Sequence, residues 1–291
     1  MILVKITGGP GNQLFQYAFG RRLALQNKTI LKLDITEYDF KKHRKFILNK
    51  FNIKAEISSN SELNSYYKFS RFVFYDLRPV VHRFFPFFFK NIIYEKHFHF
   101  DKDMLSFKNN SYLIGFWQSE KYFFKLKKKL KSEISLKSSF SQKSLQLSDM
   151  IKNSNSVSIS IRRGDFVTDR RINNRHGVLD YSYYKNALRI INNRVSSPYF
   201  YIFSDDIAWV KENWRFPQNV TYADFNFPDK IEEDLILGSL CKHNIIANST
   251  FSWWSAWLNN NKNKIVIAPN KWFNQLNYDT GDLIPDSWIR I

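Results

Sequence analysis

A single cysteine in 291 residues leaves this chain without an intrachain disulfide framework. Cys241 stands in an apolar passage between a helix pattern and a strand pattern, which fits a reducing cytoplasm and a packed thiol rather than a catalytic one. Long apolar runs are also missing, and no stretch approaches the roughly 20 residues that span a bilayer. Met1 leads directly into a strand carrying Lys5, so no cleavable leader is read there and a cytoplasmic location is expected. Internal repeats are absent. Acidic residues are in deficit, 26 against 44 lysines and arginines, and the resulting formal charge of +18 calls for a partner or a surface explanation.

That excess is concentrated at Lys41 to Lys45 and Lys125 to Lys131. Nucleic acid is disfavoured as the partner, because the chain has no zinc spacing, RNA-recognition signature or DNA-reading helix. An anionic membrane surface suits it better, especially at Tyr67 to Lys90, where Arg71, Arg78, Arg83 and Lys90 alternate with many aromatic rings. The competing reading is an aromatic core helix with a solvated basic face, since Pro79 and Pro86 interrupt any long helix lying on a membrane.

What the chain does have is a strand that runs into two adjacent guanidiniums. Val157, Ile159 and Ile161 alternate with small polar residues as in a half-buried strand, and Gly164 turns the chain just after Arg162 and Arg163. Planar guanidiniums grip phosphate oxygens bidentately, although Asp165 pairing with one arginine at the surface explains the same pattern. At the N-terminus, Ile2 to Ile6 reads as a strand, Thr7 to Gln13 as a glycine loop, and the following residues as a helix with a stripe of Leu14, Phe15, Ala18, Phe19, Leu23 and Leu25. Thr29 to Asp34 reads as the next strand. Such a loop approaches anions closely, but it is neither the Rossmann glycine fingerprint nor a phosphate loop.

Two more segments follow this plan. Ile245 to Ala247 is a short strand before Ser249, Thr250 and Ser252, hydroxyls that either cap the next helix or bind phosphate at its N-terminus. Trp253, Trp254 and Trp257 then line that helix as core. Tyr199 to Phe203 is a strand ending at Ser204, Asp205 and Asp206, and ligands of open α/β sheets collect at such carboxyl ends. Glu232, Glu233 and Asp234 read as the acidic first turn of a helix, with no catalytic role.

Together these segments resemble the bacterial α-1,2-fucosyltransferases of glycosyltransferase family 11. The resemblance rests on GGPGNQLFQYAFG from Gly8, GFWQSEKYF from Gly115, SIRRGDF from Ser160, the pair Tyr183 and Tyr184, FSDD from Phe203, and CKHNIIANSTFSWW from Cys241. It implies an α/β fold of two facing Rossmann-like domains, the GT-B architecture, with a cleft between them. The expected domains are 1–145, on the acceptor side, and 146–291, binding the GDP-sugar, with strands near 157–162, 199–203, 220–222, 244–247 and 264–268 and a tail that crosses back. A chain of this length holds two domains of about 100 to 150 residues.

The resemblance further implies inverting transfer of L-fucose from GDP-β-L-fucose to the 2-hydroxyl of a terminal galactose, in O-antigen or a related surface polysaccharide. The acceptor would be a galactose-terminated glycan, including a lipid-linked one, and the enzyme would lie peripherally on the inner face of the membrane. Arg162 would bind the β-phosphate, Arg163 support the loop or the sugar, Asp206 meet the guanine edge, Thr250 and Ser252 meet the phosphates, and Asn12 face the donor from the other domain. Asp169, His176 and Asp180 are candidates for the base, and Trp117, Gln118 and Glu120 for the acceptor side. The family pattern His-x-Arg-Arg-x-Asp has Ser160 in place of its histidine here, which puts one guanine contact in doubt. No cofactor or metal is expected, since Asp205 and Asp206 are adjacent rather than spaced as Asp-x-Asp. Two alternatives stay open: another GDP-sugar transferase on this scaffold, and a non-catalytic basic binding protein.

Overall fold

The computed structural model describes residues 1–40, 45–66, 91–217, 219–274 and 278–291. Most of the basic run at Lys41 to Lys45 and the whole aromatic segment Tyr67 to Lys90 lie outside the described residues. The chain divides into two compact units, Met1–Ile134 and Ser135–Ile291. That division precedes the helix Gln142–Lys152, through which the expected boundary after residue 145 would have cut.

The first unit is built on a parallel sheet of β1 (Ile2–Lys5), β2 (Leu31–Asp34), β3 (Glu56–Ile57), β4 (Ile92–Tyr94) and β5 (Ser111–Ile114), in the order β3-β2-β1-β5-β4. Helix Pro10–Gln26 returns the chain from β1 to β2. Proline is tolerated at its start because that position needs no intrahelical N–H. The apolar stripe understates this helix, for Gln13, Gln16, Tyr17 and Gly20 are buried along with Leu14, Phe15, Ala18, Phe19 and Leu23. Tyr17 and Arg21 are tied down by Glu133, the tyrosine hydroxyl at 2.5 Å and the guanidinium at 2.8 Å.

The second unit carries a parallel sheet of β6 (Asn155–Ile161), β7 (Pro198–Ser204), β8 (Val220–Tyr222), β9 (His243–Ile245), β10 (Val266–Ala268) and β11 (Ile289–Arg290), in the order β11-β10-β9-β6-β7-β8. The last strand of the tail pairs with β10 of this sheet. Strand β6 is not half-buried. Val157, Ile159 and Ile161 pack with Tyr183, Tyr184, Ala187 and Ile191, which recur at helical spacing on helix Tyr181–Asn192. On the other face Ser156 and Ser158 are buried as well, because Ser158 accepts a hydrogen bond from Asn244 Nδ2 at 2.7 Å. A central parallel strand is covered on both faces, and a partnered hydroxyl is tolerated there where a bare one is costly.

Helix Thr250–Leu258 buries Trp253, Trp254 and Trp257 completely or nearly so. Cys241 is buried too, and burial pushes its thiol up, away from the thiolate. The acidic turn opening helix Ile231–Leu240 is buried rather than solvated: Glu233 accepts from the Ser141 hydroxyl at 2.7 Å and Asp234 from Asn226 Nδ2 at 2.8 Å. Among the described residues no helix is long and apolar enough to cross a membrane.

Candidate active site

Because β6 lies between β7 and β9 and all three run parallel, their carboxyl ends sit side by side. Ile161 is in register with Ser204, so the residues that follow, Arg162 and Arg163 on one side and Asp205 and Asp206 on the other, meet directly. Asp205 Oδ1 accepts from the Arg163 backbone N–H at 2.8 Å, and its Oδ2 forms an ion pair with Arg162 Nη1 at 2.6 Å. Asp165 pairs with the other terminal nitrogen of Arg162. The close approach depends on Gly164, where any Cβ would collide with Asp205. Arg163 donates from Nε to Asp206 Oδ2 at 3.1 Å, and its guanidinium lies 3.2 Å from the centre of the Trp209 ring.

The two arginines are therefore not equivalent. The Arg163 side chain is 11% exposed and enclosed, whereas that of Arg162 is 30% exposed and keeps an open edge. Asp206 is 37% exposed and Asp205 only 6%. Asp205 is the member of this cluster that motif reading underrated, although its place in the FSDD segment marks it. Ser160 precedes the arginines on β6, and its carbonyl accepts from the buried Tyr184 hydroxyl at 3.1 Å.

At the end of β9, helix Thr250–Leu258 begins without a side-chain cap, so the capping role read for Ser249 is not seen. Ser252 turns its hydroxyl back onto Ala247 O at 3.1 Å and Ser249 O at 2.9 Å and is buried. Thr250 is half-buried at the first turn, where backbone N–H groups lack intrahelical acceptors.

The three carboxylate and imidazole candidates for a base are occupied otherwise. Asp169 caps helix Arg170–His176 by accepting from the Arg171 and Ile172 N–H groups, and these bonds lower its pKa. Asp180 does the same for helix Tyr181–Asn192, its pKa lowered by Ser182 and the Tyr183 N–H. His176 is stacked on Phe166 at 4.7 Å and packed against Phe273 at 4.9 Å. Burial, with Arg175 close by, brings it down to about 4, which penalises the imidazolium a base must become. Asn248 holds this segment by donating to His176 O at 2.9 Å and Gly177 O at 3.2 Å.

In the first unit, two glutamines of the N-terminal motif are staples. Gln13 donates to Lys45 O and accepts from Ile47 N–H, both at 2.9 Å, while Gln16 accepts from Thr7 N–H at 2.9 Å and donates to Gly115 O at 3.0 Å. Asn12 accepts from Gln118 Nε2 at 2.9 Å. Trp117 is fully buried and stacks on Phe19 at 4.6 Å, so it closes the core. Glu95, which no motif marks, accepts from Phe116 N–H at 2.7 Å and Trp117 N–H at 2.8 Å. It could have been sought only from its place just after a strand. Among the described residues no three His, Cys, Asp or Glu side chains group as a metal site.

The sequence profile described as Glycosyl transferase family 11 matches residues 1–291. The chain belongs to glycosyltransferase family 11. This family 11 chain is 35% identical over 297 residues to an α-1,2-colitosyltransferase from Escherichia coli, covering 100% of this chain and 99% of that one. It is 31% identical over 309 residues to the O-antigen biosynthesis glycosyltransferase WbnK of Escherichia coli, covering 98% and 99%. Among solved structures, the fucosyltransferase NodZ from Bradyrhizobium superposes with a TM-score of 0.55 at 12% identity, over 87% of this chain and 91% of that one. A NodZ α-1,6-fucosyltransferase co-crystallised with GDP gives 0.53 at 11%, over the same shares. The family 11 protein is thus a glycosyltransferase with the α/β fold of GT-B enzymes, two units each built on a parallel sheet.

Proposed function

We propose that this enzyme transfers L-fucose from GDP-β-L-fucose to the 2-hydroxyl of a terminal galactose, with inversion, in O-antigen or a related surface polysaccharide. The observation that carries the reading is the open edge of Arg162, held in place by Asp205 and Asp165 at the end of β6. Departure of GDP leaves charge on the β-phosphate, and a preorganised guanidinium stabilises that charge as it forms. Arg163, enclosed by Asp206 and Trp209, supports the loop, and the exposed part of Asp206 is available to a guanine edge. Backbone N–H groups at Thr250 and Ser252 supply the positive end of a helix to the phosphates. The Ser252 hydroxyl is spent on two carbonyls.

Asp169 and His176 do not suit the role of a strong base, so the acceptor hydroxyl loses its proton late, to a weak acceptor, as a dissociative reaction permits. Arginine takes the part a metal plays elsewhere, since the carboxylates of Asp165, Asp205 and Asp206 are engaged by guanidiniums. A second reading has specific support: the α-1,2-colitosyltransferase that is 35% identical over the whole chain favours colitose as the transferred sugar. One experiment separates these. The enzyme is incubated with a galactose-terminated acceptor and a panel of GDP-sugars, with and without EDTA, and the product mass is read. A deoxyhexose increment insensitive to EDTA supports the fucose reading, a dideoxyhexose increment supports the second, and GDP binding without product supports a non-catalytic protein.

The basic excess fits peripheral contact with an anionic membrane, where a lipid-linked acceptor would lie on the cytoplasmic side. Phe124 is 54% exposed beside the exposed Lys125, Lys128 and Lys129. Binding should be stronger to anionic than to neutral vesicles and should weaken as salt rises. Equal recovery on both would remove this role.

A further inference from the structure

Glu95 follows β4 at its carboxyl end, beside the turn that follows the neighbouring strand β5. Each of its carboxylate oxygens accepts one backbone N–H, Phe116 at Oε2 and Trp117 at Oε1. Gly115 makes the approach possible, because a Cβ there would collide with the Glu95 side chain. The turn it grips is strained: Trp117 has φ of 51°, a region a bulky side chain rarely adopts. The indole N–H of Trp117 is buried and has no hydrogen-bond partner among the described residues, and the turn is held by the carboxylate, by Gln16 on Gly115 O and by the stack on Phe19. The next residue, Gln118, fixes the Asn12 amide.

We propose that Glu95 is a positioning residue for glycosyl transfer: by gripping the Phe116–Trp117 turn it orients Gln118 and, through it, Asn12, a neutral amide pair suited to sugar hydroxyls. The inference rests on the transfer reaction proposed above. Among the described residues no charged side chain pairs with Glu95, and Lys96, next in the chain, is exposed. Burial pushes its pKa up to about 7 against the pull of the two amides. Glutamine cannot replace it, since one N–H of the turn would then face an NH₂ donor. Protonation has a related effect, so the grip loosens as pH falls through about 7.

The test is a double-mutant cycle of Glu95→Gln and Gln118→Ala, read as kcat and KM for a galactose-terminated acceptor, with GDP affinity measured by calorimetry. Transfer and GDP binding by the unaltered enzyme are recorded first, so failure of the functional reading shows there, separately from failure of the positioning role. Glu95→Gln should lower kcat/KM by about tenfold or more, as a small misplacement far from the chemistry does. GDP affinity should hold, the acid limb of the pH profile near 7 should vanish, and Gln118→Ala should add little in that background. Glu95→Asp, which keeps the charge on a shorter stem, should recover part of the loss, and it carries the same cycle if Glu95→Gln does not fold. Additive losses in either cycle, or unchanged kinetics and pH profile in Glu95→Gln, would overturn the proposal.

Discussion

The strand ends of the two units are built from opposite materials. In the first, amides do the work: Gln13, Gln16, Gln118 and Asn12 bond to one another and to backbone, with Glu95 gripping two N–H groups. In the second, Arg162, Arg163, Asp165, Asp205 and Asp206 form a lattice of charges. Neutral amides recognise hydroxyls without drawing anions, whereas a guanidinium lattice recognises phosphate and is strengthened by its own carboxylates. On the function proposed above, the charged rim suits the leaving group and the amide rim suits sugar hydroxyls.

The largest effect should come from removing the open guanidinium. Arg162→Ala is expected to lower kcat by roughly 10²–10³-fold at matched folding by circular dichroism, the range seen when one transition-state donor is lost. Near-native turnover would break the comparison at its charged side. Asp205→Asn should cost about 10–100-fold in kcat/KM, because the anchor shared by Arg162 and the Arg163 N–H loses its charge. The neutral rim should respond in stability instead. Gln13→Ala removes the acceptor of the Ile47 N–H and a donor to the Lys45 carbonyl, and it should destabilise by about 1–3 kcal/mol in urea titrations.

Acidity distinguishes the rims by sign. The His176 pKa is lowered to about 4, so the stability it contributes is present above its unfolded value of 6.5 and is lost as pH falls through about 4. Glu95 is raised to about 7, so its contribution is present below its unfolded value of 4.5 and is lost as pH rises through about 7. Urea midpoints across this range should therefore lose their acid-side fall in His176→Phe and their alkaline-side fall in Glu95→Gln; equal slopes in all three proteins would erase the distinction. The smallest effect is reserved for Ser160→His. The Tyr184 bond uses only the Ser160 carbonyl, so the donor KM should change less than about threefold, under ~0.7 kcal/mol. A tenfold improvement would show a depleted guanine pocket.

Much of the second unit was legible because its strands announce themselves. Five of its strands fall where alternation and β-branched or aromatic residues placed them, near 157–162, 199–203, 220–222, 244–247 and 264–268. The two-residue strand Ile289–Arg290 carries no period of its own and is specified by its partner β10. Arg162, Arg163 and Asp206 were legible as charged residues at the ends of two strands, and the structure brings them together. The roles of Asp169 and His176 were not legible, because a capping carboxylate and a reactive one look alike in sequence, and a histidine's burial depends on Phe166 and on Phe273, far along the chain. Glu95 escaped for the same reason: its amides lie on the turn after another strand.

The wholly parallel pairing of the first sheet has a consequence for how the protein is made. Ile2 finds Leu31 early, but its other neighbour, Ser111, is translated much later. At the ribosomal pace of about 5–20 residues per second, β1 is open along one edge for on the order of 5–20 s. Ile2, Leu3 and Val4 are all fully buried in the finished fold and spend that interval without their cover. Long-range parallel pairings fold slowly and expose sticky intermediates. Yield in a heterologous host should therefore respond more to slower translation and added chaperone than to substitutions that raise the melting temperature.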